Sequence, residues 1–165
     1  MARLVLIGLP GAGKSTLAAL VAVQLGCDVI DTDDEIEKSV GCPANEYLRR
    51  EGEPAFRRAE LRALGGALDH DVVVSTGGGV VTLSEARELL RSQVTVWLDS
   101  DDAVLTSRLE GGDRPLLGQD LKVDLARLRA QREDWYRDVS VSRVDAEGTF
   151  EDVARRILDA ADVTR

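Results

Sequence analysis

Gly8, Gly13, Lys14 and Ser15 fit the pattern G-x-x-x-x-G-K-[ST] within "GLPGAGKST". Residues of this kind, at this spacing, hold phosphates. Small residues let backbone N–H groups curl around a β-phosphate, and a helix N-terminus adds positive dipole. Lys14 would reach the β- and γ-phosphates, and the Ser15 hydroxyl suits Mg²⁺. The backbone and side chains of Gly11, Ala12, Gly13, Lys14, Ser15 and Thr16 are therefore expected to bind a nucleoside triphosphate.

Carboxylates crowd the sequence just downstream, in "DVIDTDDEIEK". Bare acids beside phosphates repel them, so these acids must serve a metal, serve a proton or face solvent. Asp31 and Asp33 are two apart, a spacing that aims both side chains to one side of an extended chain. One can support the metal while the other orients and deprotonates a hydroxyl. Asp34, Glu35 and Glu37 are expected on the solvated side of a helix. Thr32-x-x-Glu35 also fits a capping box, which would give the acids a structural task instead. Asp99, closing "VTVWLD", resembles the second acid of a nucleotide site, but it opens "DSDDAV", where Asp and Ser are ordinary helix caps.

Such a site needs strands that end at one edge and helices that begin there. Short β-rich runs alternate with amphipathic segments along the chain. "LVLIG", "DVI", "DVVVST", "VTVWLD" and "VSRVD" read as strands. "KSTLAALVAVQLG", ended by Gly26, reads as the first helix. "DDEIEKSVG", "ANEYLRREG" and "EPAFRRAELRALGGALD" follow, the last started by Pro54. "SEARELLRSQ" has Ser84 as its expected N-cap. "DAVLTSRLEGG", "DLKVDLARLRAQREDWYRDV" and "TFEDVARRILDAA" complete the set. Strands separated by helices predict a parallel sheet covered on both faces, with ligands at the carboxyl ends of the strands. "GGDRPLLGQD", residues 111–120, is the least regular stretch and reads as a mobile lid.

The 165 residues suit a single domain with its own core, and the formal net charge is −9. That acidity argues against sequence-independent nucleic-acid binding, which needs Lys and Arg on phosphates. It leaves room for a small anionic ligand held by a local basic cluster. Cys27 and Cys42 lack metal-ligand spacing and read as reduced thiols of a cytoplasmic protein. His70, the sole histidine, reads as a surface loop residue. No apolar run is long enough to span a bilayer, so no membrane partner is expected. The apolar run after Arg3 is too short, and ends in Lys14, for a signal peptide.

From about Leu4 to Val144 the chain resembles the shikimate kinases, small P-loop kinases. The resemblance rests on an ordered set: "GLPGAGKST", "DTD" (Asp31–Asp33), "GEPAFRRAE" (Gly52–Glu60), "STGGGVV" (Ser75–Val81), "RPLL" (Arg114–Leu117) and "REDWY" (Arg132–Tyr136). It implies a P-loop kinase-like three-layer α/β/α fold with a five-stranded parallel sheet. The lid would lie at 111–120 and the substrate-binding helices at about 33–62. It implies transfer of the ATP γ-phosphoryl to the 3-hydroxyl of shikimate, with Mg²⁺, in a cytoplasmic monomer. Asp33 matches the acid that contacts the reacting hydroxyls, and Asp31 the one that supports Mg²⁺ with Ser15. Arg57 and Arg132 match the arginines that grip the substrate carboxylate, a task that suits a planar guanidinium. Arg58 is expected to be an ordinary surface charge. Gly77, Gly78 and Gly79 match a triple glycine beside the substrate, where a ligand must approach backbone closely. Arg114 matches the lid arginine that closes over the phosphates, which with Lys14 and Asp33 completes the catalytic set. Arg108 is a candidate for the adenine.

Other readings remain open at this stage. A kinase for gluconate or a nucleotide would share the phosphate loop but not the joint DTD, F-R and GGG pattern. A nucleotide-binding module without catalysis would bind ATP without turnover.

Overall fold

The computed structural model describes residues 1–110, 112, 117–118 and 120–162. Five strands, β1 (Leu4–Ile7), β2 (Asp28–Asp31), β3 (Val72–Ser75), β4 (Thr95–Asp99) and β5 (Ser142–Asp145), form one sheet in the order β2-β3-β1-β4-β5. Every pairing is parallel. The three central strands are buried along their whole length, as their unbroken apolar runs require. The edge strands β2 and β5 instead carry Asp28, Asp31, Arg143 and Asp145. Polar residues suit an edge, where one side of the ladder is open.

Among the described residues, eight α-helices flank the sheet: α1 (Lys14–Leu25), α2 (Thr32–Val40), α3 (Ala44–Glu51), α4 (Glu53–Leu68), α5 (Ser84–Arg91), α6 (Asp102–Leu109), α7 (Leu121–Val139) and α8 (Phe150–Asp162). Helices α1 and α8 pack together against the sheet, and α4, α5 and α7 form the other layer. The result is the expected three-layer α/β/α fold. Gly26 stops α1 in the left-handed conformation, and its N–H reaches back to the last turn. The main core spans the sheet and both helical layers. A second, smaller cluster of Ile36, Ala44, Leu48, Phe56 and Ala59 binds α2, α3 and α4 to one another.

Three local expectations give way. Ser84 is the first residue of α5 rather than its cap, and its hydroxyl donates to Glu85 2.9 Å away. Asp31, not Thr32, caps α2, accepting from the Asp33 N–H at 2.9 Å. Asp31 and Asp33 also do not share one extended segment, because the chain turns into α2 directly after Asp31. A 3₁₀ turn at Val80–Thr82, absent from the sequence reading, follows the triple glycine. The expected lid, with Arg114, falls largely outside the described residues.

Candidate active site

The carboxyl ends of β1, β2 and β3 open into a cavity of about 480 Å³. The connection from β1 runs past β3 to β2, and the one from β3 runs past β1 to β4, so a crevice opens at the ends of these two neighbouring strands. Gly11, Gly13, Lys14, Ser15 and Thr16 line one end of the cavity, and Asp31, Asp33, Arg57, Gly77, Gly78, Gly79, Arg108 and Arg132 line the rest. Ala12 sits in the same loop but is buried beneath it. The described candidates for catalysis and binding, save Ala12, thus face one space, whereas Gly8 of the loop motif and Asp99 do not line it.

The phosphate loop is built on glycines that cannot be replaced cheaply. Gly8, Gly11 and Gly13 have φ of 150°, 84° and 86°, angles that L side chains rarely adopt. A Cβ on Gly8 would also run into the Leu98 carbonyl. Lys14 is buried, and its Nζ donates to the Gly8 and Leu9 carbonyls, each at 2.9 Å. Its ammonium therefore lies in the fold of the loop at the start of α1.

Ser15 Oγ donates to Asp31 Oδ2 at 2.6 Å. In the register of β2 on β3, Asp31 pairs with Ser75, whose Oγ is 3.4 Å from that of Ser15. A hydroxyl and a carboxylate beside a phosphate loop are the hard oxygen donors that Mg²⁺ takes from a protein when phosphates and water supply the rest. The residues present fit that ion. No cluster of three or more Asp, Glu, His or Cys with metal-ligand geometry occurs among the described residues, and Mg²⁺ held on a nucleotide does not need one.

Asp33 stands at the start of α2 and faces Gly77. Its side chain is open to the cavity's water, while protein crowds it more widely. Burial pushes its pKa from 3.8 up to about 6, helped by the like charges of Asp31 and Glu60 and opposed by Lys14. The exposure of Asp33 to the cavity screens part of that effect, and a ligand bound there would reduce the screening. A carboxylate tuned toward neutrality is the kind of group that can exchange a proton with a hydroxyl.

Arg57, on α4, is buried between two carboxylates. Its Nη1 lies 2.5 Å from Glu60 Oε2, and its Nη2 2.9 Å from Glu53 Oε1. Burial pulls the guanidinium pKa down, but Glu60 and Glu53 together outweigh it and hold it above the usual arginine value. Burial likewise raises the Glu60 pKa, and Arg57 and Arg132 pull it only partly back. Glu60 was not singled out from the sequence, although it stands three residues after Arg57 on the same helix face. Arg58 is exposed, as expected.

The three glycines serve room rather than conformation, for none of Gly77, Gly78 and Gly79 has a positive φ. A Cβ on Gly77 would strike Glu60, and one on Gly79 would strike the Arg57 guanidinium. One on Gly78 would meet Pro10 at 2.9 Å. The turn is tied to α2 by its Gly77 N–H, which donates to Thr32 Oγ1 at 3.1 Å. This tie, rather than a capping box, is what Thr32 provides.

At the nucleotide end, Arg108 donates to the Gly11 and Ala146 carbonyls, each at 3.2 Å. Phe150, 41% exposed, lines the cavity beside it and close to Gly13. Its signal in the sequence, one aromatic at the start of the last helix, is too slight to find alone. Asp99 does not line the cavity. It pairs with Arg129 at 2.7 Å and with Arg143.

Known proteins match both this sequence and this geometry. The shikimate kinase family profile matches residues 10–162. The shikimate kinase of Corynebacterium efficiens is 43% identical over 148 residues, covering 87% of this chain and 88% of that protein. The shikimate kinase of Streptomyces avermitilis is 39% identical over 165 residues, covering 98% and 96%. Among solved structures, shikimate kinase from Acinetobacter baumannii in complex with shikimate superposes with a TM-score of 0.94 at 30% identity, covering 98% of this chain and 93% of that one. A gluconokinase from Sinorhizobium meliloti, at 18% identity and a TM-score of 0.66, shares the fold alone. The chain belongs to the shikimate kinase family.

Proposed function

We propose that this chain transfers the γ-phosphoryl group of ATP to the 3-hydroxyl of shikimate, giving shikimate 3-phosphate and ADP. In this reading it serves the chorismate route to aromatic amino acids. The observation that carries the reading is the shared cavity, with a phosphate cradle at one end and Asp33, Arg57, Arg132 and the triple glycine at the other. Shikimate is a cyclic acid with ring hydroxyls, and it calls for that combination of cations and a carboxylate.

In this reading Arg57 and Arg132 grip the substrate carboxylate, and the glycine turn lies against the ring. Asp33 orients the 3-hydroxyl and accepts its proton as the phosphoryl group transfers. Lys14 and the α1 amides stabilise the charge on the transferring group. Mg²⁺ held by Ser15 and Asp31 would neutralise charge on the β- and γ-phosphates. Arg114, outside the described residues, would close over the phosphates and help exclude water. Arg108 would contact the adenine. The enzyme is read as a cytoplasmic monomer without nucleic-acid or membrane partners. No described helix is long and apolar enough to cross a membrane.

The test is ADP release with and without shikimate, with gluconate and nucleoside monophosphates as control acceptors. Release that depends on shikimate alone is expected. Equal release without an acceptor, or with gluconate only, would remove the assignment.

A further inference from the structure

Arg132 and Tyr136 stand one turn apart on the same face of α7, and both donate to one oxygen. Arg132 Nη1 reaches the Gly78 carbonyl at 2.9 Å, and the Tyr136 hydroxyl reaches it at 2.5 Å. Tyr136 is 1% exposed and does not line the cavity. Its ring stacks on Trp97, with centroids 5.8 Å apart and planes at 26°. Trp97 is fixed in turn on β4, in register with Ile7, the last residue before the phosphate loop. Burial pushes the phenol pKa up to about 12, so the hydroxyl stays protonated and can only donate to the carbonyl.

We propose that Tyr136 is a positioning residue for the acceptor: its hydroxyl holds the Gly78 carbonyl, fixing the glycine turn and freeing Arg132 to turn toward the acceptor carboxylate. The inference rests on the roles given above to Arg132 and the triple glycine.

Tyr136 supplies a second hydrogen bond to one oxygen. A carbonyl oxygen has two lone pairs, and here both have donors. Were Arg132 the sole donor, drawing its guanidinium onto a substrate would strand a half-buried carbonyl, which is costly. With Tyr136 in place the carbonyl keeps a partner throughout. Arg132 also has a buried Nε without a hydrogen-bond partner among the described residues, so its fork has a donor to spare. The peptide plane matters as well. With the Gly78 carbonyl turned to α7, the N–H of Gly79 across the same trans peptide points the other way.

Tyr136→Phe removes the hydroxyl and keeps the ring. We expect the KM for shikimate to rise about tenfold, equivalent to about 1.4 kcal/mol. The KM for ATP should stay within about twofold and kcat within about threefold, on the scale of one neutral hydrogen bond. Trp97→Phe is the control, since it loosens the stack but leaves the hydroxyl. It should lower the melting temperature without the selective rise in shikimate KM. A shikimate KM unchanged in Tyr136→Phe would overturn the proposal. So would a rise in both KM values that follows the loss of melting temperature in the two variants alike. A wild-type chain that does not phosphorylate shikimate would instead fail the functional reading itself.

Discussion

At the scale of single residues, the site is governed by carboxylates whose company decides their task. Asp31 accepts from Ser15 and from the backbone of α2, so both its oxygens are engaged. Asp33, crowded by Asp31 and Glu60, is raised to about 6 by burial first and like charge second. In the proposed mechanism the deprotonated form of Asp33 takes the hydroxyl proton, so kcat/KM for shikimate should fall as pH drops through about 6. Asp33→Asn should lose most turnover, with ATP affinity near normal, and should abolish that acid limb in a pH–rate profile. Stability has its own sign. A raised carboxylate binds its proton more tightly when folded, so Asp33 costs stability as pH climbs from about 4 through 6. Asp33→Asn should therefore melt higher than wild type above pH 6, and the gain should vanish below about pH 4. Arg57 shows the opposite economy. Removing it leaves Glu60 buried without its closest cation, which should cost about 3–5 kcal/mol of stability. Arg57→Ala should therefore lose both stability and shikimate affinity. Adding Glu60→Gln should recover part of the stability in urea titrations while the affinity, read by calorimetry, stays low. Recovery of both would show that Arg57 acts only through the fold.

At the scale of elements, α4 carries Arg57 and Glu60 and packs through the small cluster it shares with α2 and α3. Gly65 lies inside α4, and a Cβ there meets nothing within 4 Å. Gly65→Ala should stabilise the chain by about 0.4–1 kcal/mol, chiefly by restricting the unfolded state. Urea titration reads that gain, and shikimate turnover should stay unchanged. A loss of turnover would mean that α4 needs the freedom that Gly65 gives it. The elements themselves were legible in the sequence. Unbroken apolar runs gave β1, β3 and β4, and Gly26 and Pro54 marked helix ends. Phosphate-loop spacing and the ordered motifs pointed to most of the cavity's residues but not to Asn45, Leu48, Leu128 or Phe150, and they left open the tasks of residues that depend on distant partners. Glu60 is one charge among many on a helix until Arg57 and Gly77 are folded against it. Tyr136 reads as core until its hydroxyl meets a glycine 58 residues away. Thr32 looked like a cap because local spacing cannot reveal the Gly77 amide. Long-range contacts, not local propensity, decide such cases.

At the scale of the whole molecule, an acidic chain gathers cations in its cavity. Lys14, Arg57, Arg108 and Arg132 line it beside Asp31, Asp33 and Glu60, so the lining lacks the acidic excess of the chain, whose net charge is −9. Low-dielectric walls focus that local field and can draw in two anionic ligands despite the sign of the whole. Behind the cavity, Asp99 joins the end of β4 to α7 through Arg129 and to β5 through Arg143. Arg129 also reaches Asp102 at the start of α6, at 2.8 Å. The same helix α7 presents Arg132 to the cavity, so this knot holds the frame on which the substrate end is hung. A sequence pattern alone would allow Asp99 to be a metal acid. Its position outside the cavity and its two arginine partners give it a structural task instead. Asp99→Asn leaves Arg129 short of one anion but still paired with Asp102, so the loss should be about 1–3 kcal/mol, the scale of a partner removed from a part-buried donor. Chemical denaturation should show that loss, while Mg²⁺-dependent ADP binding, titrated in a calorimeter, should change by less than about twofold. Asp31→Asn should do the reverse, weakening the Mg²⁺-dependent part of binding with a smaller effect on the fold. If Asp99→Asn instead lost Mg²⁺-dependent affinity tenfold at unchanged stability, the metal acid would lie on β4 and the roles of the two aspartates would have to be exchanged.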